Sequence, residues 1–208
     1  MSRTSLVASL LLLLGACSGQ DAEPAGGGPE AAAPSSATPA AAATDSASLD
    51  SANPAAATDP AHWQVSEEGI GPLRAGMTRA RVEQIIGAEL AMPAGSAGSC
   101  AMAPIPGAAT GTVVMVVGDT LVRVDVFGSS TTATTAGAKI GDASDRIQSL
   151  YPSRVKREPH KYDAGQYLVV PSASDTIYQL RFETDEQGKV TRYRSGRLPE
   201  VGWVEACG

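Results

Sequence analysis

The chain has 208 residues, with 22 acidic residues, 16 Lys and Arg, and two His. The charge is unevenly placed: residues 18–61 hold six acids and no base, whereas residues 62–208 hold sixteen acids and fifteen bases. The acidity therefore belongs to one segment, and the broad basic field that a nucleic-acid partner needs is excluded.

The first element in chain order is an apolar run, residues 6–14, behind a single base, Arg3, and ahead of Gly15, Ala16 and Cys17. It has the length of a signal-peptide core and falls short of the roughly 20 residues that span a bilayer. Residues 10–17 resemble the lipobox that ends a bacterial lipoprotein signal peptide. The resemblance implies that residues 1–16 are removed, that Cys17 carries lipid on its sulfur, and that the new amino terminus is acylated. Two or more chains anchor stably where one does not. Ser18, where an inner-membrane lipoprotein carries Asp, implies the outer membrane, with the folded part facing the periplasm. A plain secreted protein with a Cys beside its cleavage site is the other reading.

Residues 17–61 follow as a tether rich in Ala, Pro, Gly, Ser and Thr. Such a composition buries too little apolar surface to offset its ordering entropy, and Pro24, Pro29, Pro34, Pro39, Pro54 and Pro60 interrupt any helix. As a flexible coil it spans roughly 35 Å, and roughly 135 Å when fully extended.

Residues 62–208 are long enough for one core. With Cys17 assigned to lipid, Cys100 and Cys207 are expected to pair in an oxidising compartment. The bond would be worth at most roughly 4–5 kcal/mol on the chain-entropy model. A reactive Cys100 thiol is the alternative, without an adjacent His or a C-x-x-C pattern to support it.

Two segments repeat weakly at an offset of 65: GPLRAGMTRARVEQIIG from Gly71 and AGAKIGDASDRIQSLYP from Ala136. Val82, Ile85 and Ile86 match Ile147, Leu150 and Tyr151 as the apolar stripe of a short amphipathic helix. Thr78 and Asp142 are the expected N-caps, and Gly87 and Pro152 the stops. Strands are expected at residues 113–117, 121–127, 166–170, 176–183 and 189–195. Val122, Val124 and Val126 alternate with Arg123 and Asp125, and Tyr178, Leu180 and Phe182 with Gln179, Arg181 and Glu183. Each alternation predicts one buried face and one wet face.

The run Gly76, Met77, Thr78, Val82, Gly87 resembles the helix signature of the small outer-membrane lipoproteins SmpA/OmlA (BamE), and the related tandem fold of β-lactamase inhibitor proteins. With the duplication, this implies an α+β class of two tandem helix-plus-antiparallel-sheet repeats, about 66–130 and 131–208. The chain departs from that family in having two such units, and in carrying Ala88-Glu89-Leu90 where a Pro-containing turn is usual.

Catalytic patterns are sparse. His62 and His160 have no partner at metal-ligand spacing, no G-x-S-x-G elbow is present, and no cofactor or metal is expected. Two basic groups remain as candidate contacts for a polyanion or a partner: Arg154, Arg157, His160 and Lys161 in one, and Arg192 and Arg194 in the other. A solvated charged face is the plainer reading. The expectation is a non-catalytic, lipid-anchored envelope protein that binds a protein partner or supports assembly. An inhibitor module gripping an enzyme through its sheet face, and a cell-wall hydrolase, are the alternatives.

Overall fold

Ten strands and two short helices make up the framework of residues 59–96 and 99–208, the part of the chain that the computed structural model describes. The expected signal peptide, Cys17 and nearly all of the expected tether lie outside the described residues. Three two-residue strands come first: β1 (Val65–Ser66), β2 (Gly69–Ile70) and β3 (Leu73–Arg74), paired in that order. Helix α1 (Arg79–Ile86) follows. The strands β4 (Cys100–Pro104), β5 (Thr112–Val117) and β6 (Thr120–Phe127) form a meander. Helix α2 (Ser144–Leu150) then leads to β7 (Lys156–Pro159), β8 (Gln166–Pro171), β9 (Tyr178–Thr184) and β10 (Val190–Arg197).

The long strands form one antiparallel sheet in the order β4-β5-β6-β10-β9-β8-β7. This corrects the expected architecture of two tandem helix-plus-sheet repeats: the molecule is mostly antiparallel sheet, with helices of only 8 and 7 residues. The physical reason lies at the join. A separate unit ending at β6 and another ending at β10 would each leave an open edge, and such edges invite aggregation. Pairing Arg192–Gly196 with Phe127–Arg123 removes both edges at once.

What the two helices share is how they start. Gly76 N–H donates to the Leu121 carbonyl, Leu121 N–H to that of Met77, and Arg79 N–H to that of Asp119, clipping α1 onto the β5–β6 turn. Gly141, Val190 and Ser144 make the corresponding bonds to Val190, Asp142 and Gly188, clipping α2 onto the β9–β10 turn. Thr78 caps α1 as expected, its Oγ1 accepting from Arg81 N–H at 3.3 Å, and Gly87 closes it in the left-handed region at φ 72°. Asp142 does not cap α2. Its carboxylate accepts from Lys139 N–H instead, and Ala143 takes the N-cap position without a side-chain bond.

The core lies between one sheet face and the helices. Val82 and Ile147 are fully buried there with Val124, Val126, Leu168, Leu180, Phe182 and Tyr193, whereas Ile85, Ile86 and Leu150 are only partly covered. The register of β6 slips between the partners of Met115 and Val116, so that Leu121 rather than Val122 joins this cluster. Tyr151 Oη donates to Thr134 and Tyr193 Oη to the Thr132 carbonyl, each at 2.7 Å. Burial pushes both phenols above their ordinary titration range.

Candidate partner-binding surface at the carboxyl-terminal clasp

The second sheet face was expected to be wet; at its centre it is not. Cross-strand pairing sets charges side by side: Asp125 beside Arg194, Arg194 beside Arg181, and Arg192 beside Glu183. Arg123, Asp125, Gln179, Glu183 and Arg194 are all buried. Arg123 and Arg194 lie beneath the chain's own last segment, residues 198–208.

Backbone carbonyls of that segment neutralise the arginines. Arg123 Nη1 donates to the Glu200 carbonyl at 2.9 Å and to that of Trp203 at 2.8 Å, while its Nε pairs with Asp125 at 2.7 Å. Arg194 Nε donates to the Val201 carbonyl at 2.8 Å. Its Nη1 stands 2.8 Å from Glu183 Oε1, an ion pair whose angles miss those of a hydrogen bond. Burial pushes the Asp125 carboxyl up, against the pull of Arg123, and pushes the Arg194 guanidinium down, against that of Glu183. Gly196 lets β10 run close against β6 at this point. Its φ is 147°, and a Cβ there would meet the Val122 carbonyl oxygen at 2.3 Å.

A disulfide completes the clasp: Cys100 on the outermost strand β4 is bonded to Cys207, with a Cα–Cα distance of 5.3 Å. An open cavity of about 550 Å³ lies against this bond, lined by Cys100, Lys161, Trp203, Glu205 and Cys207 among others. Lys161 Nζ reaches Glu205 Oε1 at 3.2 Å, and Tyr162 Oη donates to the same oxygen. Lys161 is held above its ordinary pKa by a hydrogen bond with Tyr162 and then by Glu205, and Glu205 below its own by Tyr162 and then by Lys161.

Five large apolar side chains are exposed among the described residues: Phe127, Tyr162, Ile177, Leu198 and Trp203. Four of them belong to the clasp or to loops bonded to it, for Leu198 N–H donates to the Ile177 carbonyl and Tyr162 holds Glu205. Sequence reasoning missed Trp203 and Tyr162, since nothing in their neighbourhood said that residues 198–208 fold back across the sheet.

The candidate basic residues do not form one patch. Arg154 bonds to Glu67 at 2.5 Å and to the Pro171 carbonyl, and Arg157 bonds to Gln166 with Asp145 at 3.8 Å. His160, Arg192 and Arg194 converge instead on Glu183, with His160 Nε2 at 3.5 Å and Arg192 Nε at 3.6 Å from Oε2. Arg194 is buried and Arg192 exposed, while Lys161 alone reaches the clasp cavity. His160 is not the surface loop residue its surroundings in the sequence suggested. Its side chain is 7% exposed and stacks on Tyr167 at 4.5 Å between ring centroids.

Among the described residues no group of His, Cys, Asp and Glu is placed to hold a metal, and no helix is long and apolar enough to cross a membrane. Comparison with known proteins finds no matching family model, no curated relative and no solved structure of similar fold.

Proposed function

We propose that this chain is a lipid-anchored, non-catalytic protein of the bacterial outer membrane whose folded domain grips a protein partner through the clasp surface. One observation carries the reading: four of the five exposed large apolar residues gather on the clasp and the loops bonded to it. Tyr and Trp are enriched at protein interfaces, and apolar patches rimmed by charge mark them. The backbone beneath Trp203 is tied by Arg123 and by the disulfide, so little ordering remains to be done on binding. The signal-peptide and lipobox reading supplies the anchor, and the Ala- and Pro-rich tether supplies reach.

The test is site-specific photo-cross-linking in cells. A photoreactive residue at Trp203 or Tyr162 should give one discrete adduct, and the same residue at Phe127 should not. Trp203→Ala should weaken binding of the partner so identified by about tenfold or more, as truncation of an interface hot spot does. Equal adducts from Phe127 and Trp203 would refute the reading.

A further inference from the structure

We propose that His160 is a pH-sensitive latch for this surface: a second proton on its ring releases the loop that carries Lys161 and Tyr162. The inference rests on reading the clasp as a partner-binding surface. Its geometric basis is separate.

The ring's own bonds define its resting state. His160 Nδ1 accepts from Tyr162 N–H at 3.3 Å and from Asp163 N–H at 3.1 Å. A nitrogen that accepts carries no proton, so the proton of the neutral ring sits on Nε2, which faces Glu183 Oε2 at 3.5 Å. The ring is thus the template for the tight turn at residues 160–163. That turn places Lys161 and Tyr162 where both reach Glu205.

Acid acts on this template directly. A proton taken from solvent can bind only at Nδ1, the one free lone pair. An N–H there faces two backbone N–H groups, so both hydrogen bonds are lost and donors confront a donor. Asp163 Oδ2, 3.5 Å from Nδ1, is the acceptor at hand for the new proton. The turn therefore exchanges two amide bonds for one carboxylate bond, and its backbone must move to do so.

Charged and aromatic groups from the neighbouring strands face the ring or share its partners. Glu183 of β9 faces Nε2, and its carboxylate is shared with Arg192 and Arg194 of β10. Tyr167 of β8 covers one ring face, Arg181 of β9 lies 4.0 Å over Tyr167, and Glu158 of β7 pairs with Arg181. Asp125 of β6 sits beyond Arg194 in the same cross-strand row.

The experiment uses the full chain in detergent micelles with nitrogen-labelled histidine. His62 and His160 are the two signals, and His62→Gln assigns them. At neutral pH His160 should show the proton on Nε2. On acidification, the protection factors of the Tyr162 and Asp163 amides, each rate referred to the intrinsic base-catalysed rate at the same pH, should fall roughly five- to tenfold, as expected for loss of a hydrogen bond, in step with protonation of the ring. A neutral ring protonated at Nδ1, or amides that ignore the ring's titration, would overturn the latch. Because the wild-type ring is observed directly, a poorly folded His160→Gln variant cannot obscure the result. Should the loop respond while a discrete Trp203 adduct forms equally at both pH values, the latch falls and the partner-surface reading stands; should the loop respond while no discrete adduct forms at either pH, the partner-surface reading falls and the ring's hold on the loop stands.

Discussion

Arg123 and Trp203 lie 80 positions apart in sequence, yet one guanidinium nitrogen of the first donates to the carbonyl of the second at 2.8 Å. The same nitrogen also holds the Glu200 carbonyl, and Nε holds Asp125. A buried cation in the middle of the sheet thereby holds the backbone beneath the exposed Trp203.

Replacing that cation should cost heavily. Arg123→Met leaves Asp125 buried without its partner and two carbonyls without a donor. Removing one member of a buried pair typically destabilises by about 3–5 kcal/mol. Urea denaturation followed by circular dichroism measures the loss, and a change under 1 kcal/mol, by the same yardstick, would mean that the clasp is held by other contacts.

The disulfide closes a sequence separation of 107 residues. The double variant Cys100→Ser, Cys207→Ser should lose up to about 4–5 kcal/mol if the unfolded chain is the state chiefly affected. A thermal melt under reducing and non-reducing conditions provides the comparison. The wild type under reducing conditions should match the variant.

The two helices should respond unequally along their stripes. Ile147 is fully buried, so Ile147→Ala should cost about 2–5 kcal/mol. Leu150 and Ile86 are only partly covered, and their truncation should cost about 1 kcal/mol. Arg146, on the exposed side of α2, should tolerate Ala within about 0.5 kcal/mol. Equal costs along the stripe would indicate that α2 buries more than its inner row.

Asp125 gives stability an unusual pH dependence. Burial raises its carboxyl above the ordinary 3.8. The folded chain then binds this proton more tightly than the unfolded chain does. Its contribution to stability is therefore complete below 3.8 and declines as pH rises through the raised value. Measured from acid to neutral pH, the stability of the wild type should fall relative to that of Asp125→Asn. A rise would mean that the Arg123 pair outweighs the burial.

Part of the sheet was legible because two of its strands, β6 and β9, alternate, while β5 and β8 read as short apolar runs. The valines of β6 and the Leu180–Phe182 pair of β9 carry a period of two that survives any context. The edge strands carried no such signal. β7 is Lys-Arg-Glu-Pro, fully exposed, a sequence that protects an edge and does not advertise a strand. β4 reads Cys-Ala-Met-Ala-Pro, with no β-branched residue. The site was harder still. Alternation sets Arg123 and Asp125 on one side of their strand and Glu183 on the wet side of another, and assigns both sides to water, while Arg194 reads as a candidate partner contact. The position of residues 198–208 reverses the assignment for Arg123, and a segment that short, with a 3-10 turn at Glu200–Gly202, has no periodicity to read. His160 shows the same limit, since Tyr167 and Glu183 reach it from neighbouring strands.

The order of strands in the large sheet also sets a timetable. β10, last of the ten in sequence, is the fourth of seven across the sheet and pairs with both halves. A chain that emerges amino end first exposes two open strand edges, on β6 and on β9, until its final stretch arrives to fill the gap between them. Contacts such as that of Arg123 with Gly196 close late and over long loops, the topology associated with slow folding. Any chaperone that meets this protein in transit meets it with its sheet still in two pieces.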